Sequence, residues 1–458
     1  MIERLVVIGG DAGGMSAASQ ARRRRDPDAL EIIAFEKGPY TSYSACGIPY
    51  LVGGVVEDLS KLIMRTPERF REKYSIDART GHEVTEIDLD SRKLKVWSPD
   101  GESSVPFDQL VVATGGKPLR PRLENIDAKG IFGVQVLADG TAIQKMLEDE
   151  APRHAVIVGS GYIGLEMAEA LSNRGLDVAV VDNHPQPKST LEPDMGALIA
   201  DAIRGVGAEL HLGENVTGFE EQDGHVTAVV TDQRVLPADL VIVGIGVRPN
   251  SDLAREAGVP IGPSGGIAVD RRMRAGVEGV WAAGDCAEKF HRIARKPVAI
   301  ALGTHANKEG RVAGINIGGG YATFPGVIGT AVSKLCEVEV GRTGLKESEA
   351  EDAGYRYLSV VVDSQTRAGY FPGAAPIRTK LIVERATGLM LGAQIIGREG
   401  AAKRIDVLAT AVWNEMSVDD FLNIDLSYAP PFSPVWDPVL IAARKSWQLV
   451  EETARESM

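Results

Sequence analysis

Apolar positions along this chain twice follow the same order: a short branched run, a cluster of glycines, a helix-spaced stretch, and a second apolar run closed by an acid. The first copy reads Leu5-Val6-Val7-Ile8, then Gly9-Gly10-Asp11-Ala12-Gly13-Gly14, a helix from Met15 to Arg24, and Ile32-Ile33-Ala34-Phe35-Glu36. The second reads Ala155-Val156-Ile157-Val158, then Gly159-Ser160-Gly161-Tyr162-Ile163-Gly164, a helix to about Arg174, and Val178-Ala179-Val180-Val181-Asp182. Short continuous apolar runs bounded by glycine predict buried strands, so each copy is a strand–helix–strand unit. Two more apolar runs end in glycine turns: Phe107 to Gly115, and Gly279-Val280-Trp281-Ala282-Ala283-Gly284-Asp285-Cys286. From Phe324 onward the pattern changes. No glycine loop recurs; Thr330 to Gly341, Leu358 to Asp363 and Lys380 to Val383 read as strands, and Arg404 to Val412 has apolar residues at helical spacing.

The repeated unit carries chemistry. Glycines let the backbone approach a pyrophosphate, the following helix N-terminus stabilises its charge, and the acid ending the second strand grips a ribose diol. Glu36 lies 22 positions beyond Gly14 and Asp182 lies 18 beyond Gly164, both near the expected separation of about 20. All three glycines of the second loop are in register; the first has Asp11 where the middle glycine belongs. A glycine hairpin without a ligand is the bland alternative, and two copies, each with its own acid, argue against it. Two dinucleotide sites point to a flavin and a nicotinamide cofactor. The Asp182 carboxylate would repel a 2′-phosphate and no arginine follows in Asn183-His184-Pro185, so NADH is favoured and NADPH is the lesser option. Asp285, delivered at a glycine turn, is placed to hold the flavin's ribityl chain.

At 458 residues, two to four domains are expected. A net charge of −13 argues against nucleic acid, and with 5% aromatic residues base-stacking platforms are not expected. No apolar run reaches the roughly 20 residues that cross a bilayer. Ile2 to Ile8 reads as a strand entering glycines rather than a signal peptide. Three spaced cysteines build no disulfide framework, and seven scattered histidines offer no metal-ligand spacing. A cytoplasmic protein with no membrane, nucleic-acid or metal partner is expected.

Cys46 stands alone in Ser42-Tyr43-Ser44-Ala45-Cys46-Gly47-Ile48-Pro49-Tyr50. With no cysteine nearby, sulfur chemistry there must shuttle between one thiol and an external partner. Pro49 suits the first turn of a helix, placing Cys46 just ahead of an N-terminus that is expected to lower its pKa. Cys286 and Cys336 read as inert core residues.

The two glycine loops, Ala113-Thr114-Gly115, Ala283-Gly284-Asp285 and Gly244-Ile245-Gly246-Val247-Arg248-Pro249-Asn250 resemble the flavin-dependent pyridine nucleotide–disulfide oxidoreductases over essentially the whole length. The resemblance implies an α/β fold of two Rossmann-like domains, the FAD domain (1–117 and 246–323) being split by an NAD(P)H domain (118–245). A C-terminal α+β domain (324–458) would form a homodimer. It implies FAD contacts from Gly9, Ala12, Gly13, Gly14, Glu36, Lys37, Ala113, Thr114, Gly115, Gly284 and Asp285. NAD contacts would come from Gly159, Gly161, Ile163, Gly164, Glu166, Asp182 and Gly246.

A lone Cys46 is similar to the family's single-cysteine branch, which includes coenzyme A-disulfide reductases, persulfide reductases, NADH oxidases and NADH peroxidases. Oxidases and peroxidases of that branch carry a histidine in the first glycine loop, where this chain has Ala12. Features similar to coenzyme A-disulfide reductases are Ala368-Gly369-Tyr370-Phe371-Pro372-Gly373, Tyr428, and Ser19-Gln20-Ala21-Arg22-Arg23; Ala45, where Asn is common, departs from the pattern. The implied reaction passes electrons from NADH through flavin to a Cys46–CoA mixed disulfide, with Tyr370 and Tyr428 of the neighbouring subunit serving the outgoing thiolate. Gln20, Arg23 and Ser42 are the implied coenzyme A contacts. Alternatives are an NADH oxidase working through a Cys46 sulfenic acid, or a reductase of a small iron–sulfur carrier.

Overall fold

The structure is a computed structural model describing residues 2–456. Its first sheet has Glu3–Ile8 at the centre, flanked by Leu30–Glu36 and Gln109–Val112, with Asp77–Thr80 and Val280–Ala282 outermost, all parallel. The second repeats this plan. His154–Val158 is central between Asp177–Asp182 and Leu240–Val243, with Glu209–Leu212 and Ile131–Phe132 outermost, again all parallel. Sheets covered on both faces need apolar residues at every position, and Val6, Val7, Leu110, Val111, Val156, Ile157, Val241 and Ile242 are all buried.

The first sheet draws strands from both ends of the region, because the chain leaves it after Val112 and returns for Val280. The outward and returning passes lie side by side as an antiparallel pair, Gly116–Pro118 against Val247–Pro249. The third sheet is antiparallel, in the order Ala331–Leu335, Val338–Gly344, Met390–Gly397, Pro376–Glu384, Tyr357–Gln365. Helices Ala401–Trp413 and Pro438–Glu456 pack on it. The run expected as one strand from Thr330 to Gly341 is two, turning at Cys336, whose φ of 50° is left-handed.

Two helices bring the ends of the flavin unit together. Gly310 and Gly314 of Gly303–Ile317 face Gly13 and Ala17 of the first crossover helix, Ala12–Arg22, so closely that a Cβ on either would meet a backbone carbonyl.

Candidate active site

The two glycine loops are built on the same plan. Gly9 (φ 109°) and Gly159 (φ 101°) turn the chain out of their strands, and a Cβ on either would strike the carbonyl of Ala113 or Gly244. Gly14 and Gly164 sit where a Cβ would collide with the carbonyls of Gly9 and Gly159, so each helix packs against its own loop. A Cβ added at Gly161 would meet only the Gly244 carbonyl, at 3.9 Å, so that position is open. Ala12 and Ile163 lie in the first turns of the two crossover helices.

Each acid is anchored by its own loop. Gly10 N donates to Glu36 Oε2 at 2.8 Å and Gly38 N to Oε1 at 2.7 Å. Ser160 N donates to Asp182 Oδ2 at 2.7 Å and His184 N to Oδ1 at 2.9 Å. Asp182 takes two further partners, the Ser160 hydroxyl and His184 Nδ1. These bonds outweigh burial and hold its carboxyl below the ordinary value. Lys37, next to Glu36, is exposed.

Ala113-Thr114-Gly115 is latched to the returning pass: Asn250 N donates to the Gly115 carbonyl at 3.0 Å, and its side-chain amide to the Thr114 carbonyl at 3.1 Å. Gly246 (φ 111°) provides the turn before that pass. Asp285 follows Gly284 (φ 87°), and among the described residues its carboxylate makes no hydrogen bond. Burial pushes its pKa up, opposed by Lys289. A backbone cradle that a Cβ would fill, an anchored acid and an unpartnered carboxylate fit an FAD lying across the first loop, with Glu36 at the ribose and Asp285 at the ribityl chain.

Asp11, the odd residue of the first loop, fixes the thiol segment. Tyr43 N donates to Asp11 Oδ1 at 3.2 Å and Ser42 N to the Gly10 carbonyl at 2.8 Å. Ser42 adopts φ 48° to do so. Cys46 follows in a single helical turn, Ala45–Gly47, leading into Ile48–Val52 with Pro49 in its first turn. The thiol is exposed, yet its pKa is raised rather than lowered. Desolvation by the surrounding protein leads, and Glu166, Asp11 and Asp285 add repulsion of a thiolate. The expected helix effect fails because one short turn cannot match that packing and three carboxylates. Cys286 is buried, its thiol facing the carbonyls of Val112 and Ala283 at 3.4 Å. Cys336 is half-buried, with its amide donating to Glu169 Oε2 at 2.7 Å.

Beside the second loop lies a residue the sequence did not flag. Lys188 is buried, its ammonium 3.6 Å from the Tyr162 ring centroid and bonded to the Ser333 hydroxyl. Its amide donates to the Ser160 carbonyl at 3.0 Å. Burial pushes Glu166 up to about 7 and Lys188 down to about 7, each held back by the other's charge. The strap that follows is tied to the C-terminal sheet: Arg342 donates to the Thr190 carbonyl at 2.8 Å, Lys346 to that of Ser189 at 3.1 Å, and Lys380 to Asp194 at 3.0 Å.

Tyr370 and Tyr428 are exposed neighbours, and interaction with Tyr370 pushes the Tyr428 pKa up. They are not among the groups acting on this chain's Cys46, which are Glu166, Asp11 and Asp285. In the arginine run, Arg22 is spent on the carbonyls of Arg25, Leu30 and Ser75, Arg24 on Gln20, and Arg25 on Glu3. Arg23 is exposed and its side chain has no partner among the described residues. Ser42 lies at one end of the first crossover helix, and Gln20 and Arg23 at the other, roughly 15 Å away at 1.5 Å per residue.

Two dinucleotide loops in tandem, with one accessible thiol tied to the first, define a flavin-dependent reductase drawing on a nicotinamide nucleotide. The chain belongs to the pyridine nucleotide-disulphide oxidoreductase family. Residues 3–310 match that family and residues 330–438 its dimerisation domain. It is 40% identical over 441 residues to the CoA-dependent NAD(P)H sulfur oxidoreductase of Pyrococcus abyssi, covering 96% of this chain and 97% of that protein. It is 29% identical over 452 residues to the coenzyme A disulfide reductase of Staphylococcus epidermidis, covering 97% of this chain and all of that protein (100%). A NAD-dependent persulfide reductase from A. fulgidus superposes with a TM-score of 0.95 at 38% identity, over 98% of this chain and 84% of that chain. The protein is an NAD(P)H-dependent flavoprotein oxidoreductase, with FAD as its bound cofactor.

Proposed function

We propose that the protein reduces coenzyme A disulfide, or a coenzyme A persulfide, with NADH, using Cys46 as its one redox sulfur. The observation that carries this reading is the anchoring of the Cys46 segment to the first dinucleotide loop through Asp11 and Gly10, with no second thiol beside it. Bound FAD supplies a two-electron relay between the nicotinamide and the sulfur. The residues do the rest. Reductive cleavage of the Cys46–S–S–CoA bond takes two electrons and one proton, leaving Cys46 as thiolate and releasing CoA thiol. That thiolate attacks CoA disulfide, re-forming the mixed disulfide and expelling a CoA thiolate, which a tyrosine hydroxyl can protonate.

Tyr370 and Tyr428 fill that role from a second copy of the chain, being exposed, paired and carried by the region that matches the dimerisation domain. Arg23, the unengaged arginine of its run, with Gln20 and Ser42, holds the carrier; their separation suits an extended coenzyme rather than a small disulfide. The residue sets assigned above to FAD and NAD, and domain limits of 1–117, 118–245, 246–323 and 324–458, belong to the same proposal. So does a cytoplasmic setting, which agrees with three free cysteines. Ala12, where an oxidase would carry histidine, favours disulfide over oxygen. Among the described residues no helix is long and apolar enough to cross a membrane.

Intact-protein mass spectrometry before and after reductant tests the proposal. The mass lost should equal one coenzyme A on Cys46, and Cys46→Ser should abolish both the adduct and NADH-driven CoA disulfide turnover. Full turnover in that variant would overturn it.

A further inference from the structure

Beneath the Ala283-Gly284-Asp285 turn lies an ion pair with no role in the chemistry above. Lys289 and Glu309 are both fully buried, their charged atoms 3.5 Å apart. They grip one residue, Gly284, through both of its backbone polar groups. Glu309 Oε2 accepts from Gly284 N at 2.8 Å, and Lys289 Nζ donates to the Gly284 carbonyl at 2.9 Å and to that of Ala287 at 3.0 Å. The glycine so held has φ 87°, and the next residue is the unpartnered Asp285. The second carboxylate oxygen, Glu309 Oε1, has no hydrogen-bond partner, and neither does buried His305 Nδ1 one turn earlier on the same helix. A buried ion pair of this kind is poor value for stability alone, because desolvating two charges offsets most of their attraction. Its placement must be explained by what it holds.

We propose that Lys289 and Glu309 are positioning residues for the flavin, clamping both polar groups of Gly284 so that Asp285 is aimed at the ribityl chain. The inference rests on Asp285 being the ribityl ligand. Burial pushes Glu309 up to about 7, opposed by the Lys289 charge and the Gly284 amide. The Gly303–Ile317 helix bearing Glu309 is pressed onto the flavin-loop helix through Gly310 and Gly314, so the clamp is referenced to the loop that takes the pyrophosphate.

The test measures FAD dissociation constants of deflavinated protein by flavin fluorescence quenching, together with the thermal unfolding of the FAD-free protein. The variants are Asp285→Asn, the double replacement Lys289→Met with Glu309→Gln, and the triple combination. Losing hydrogen bonds to charged groups should weaken FAD binding by roughly 10- to 100-fold in the double variant. Acting through Asp285, the clamp should cost little more once Asp285 is already Asn. Additive losses, wild-type FAD affinity in the double variant, or collapse of that variant without FAD would each overturn the clamp. Wild-type affinity in Asp285→Asn alone would instead overturn the ribityl assignment on which it rests.

Discussion

Asp11 gives the sharpest quantitative test of the flavin loop. Its carboxyl is pushed from 3.8 up to about 6. Burial is the main cause; repulsion from Glu36 and Asp285 adds to it, and the amides of Tyr43 and Ala12 oppose it. An acid with a raised folded-state pKa favours the fold below its unfolded value and loses that advantage as pH rises through the folded value. The window here runs from about 4 to about 6. A shift of about 2 units at 1.36 kcal/mol each corresponds to about 3 kcal/mol in full, of which about half falls between pH 5 and 8. Asp11→Asn keeps an Oδ1 to accept from Tyr43 N but cannot ionise. In urea unfolding of FAD-free protein, the stability of wild type minus that of the variant should fall by about 1.5 kcal/mol from pH 5 to pH 8. Subtracting the variant cancels the other titrating groups, which the two proteins share. A difference that stays constant across that range would refute the reasoning.

The remaining predictions concern the thiol, the tyrosines, the carrier and the second loop. Alkylation of Cys46 in FAD-free protein should keep accelerating above pH 9, since its pKa is raised; a plateau below pH 8 would contradict this. Replacing both Tyr370 and Tyr428 with phenylalanine should lower kcat for CoA disulfide by roughly 100-fold without releasing FAD, and unchanged turnover would remove them from the mechanism. Arg23→Glu should raise KM for CoA disulfide about tenfold and leave NADH-driven dye reduction alone, since one phosphate contact is worth about 1.5 kcal/mol. Gly164→Ala should abolish NADH binding while FAD is retained, because its Cβ collides with the Gly159 carbonyl; tight NADH binding in that variant would contradict the loop geometry.

The parts legible in the sequence are those written in local pattern. Parallel strands buried on both faces leave unbroken apolar runs, so the strands of both nucleotide units, their glycine turns and the acids Glu36 and Asp182 could be read directly. The thiol's environment could not, because Glu166, Asp11 and Asp285 reach Cys46 from three distant segments and reverse the expected shift. Nothing local announces that Asp11 receives an amide 32 residues away, that Lys188 covers Tyr162, or that Lys289 and Glu309 share Gly284. The split at Cys336 was hidden because a non-glycine residue carries the left-handed turn. His184, read only as the absence of an arginine, is bonded to Asp182.

That last contact bears on any attempt to retune the coenzyme. Asp182, the acid proposed above to meet the nicotinamide coenzyme's ribose, already holds the Ser160 amide and hydroxyl and both donors of His184. Swapping it for an apolar residue to admit a phosphorylated adenosine would strand four donors and slacken the second glycine loop. Selectivity and scaffold share one carboxylate, so converting the enzyme to the other dinucleotide means rebuilding positions 160, 182 and 184 together.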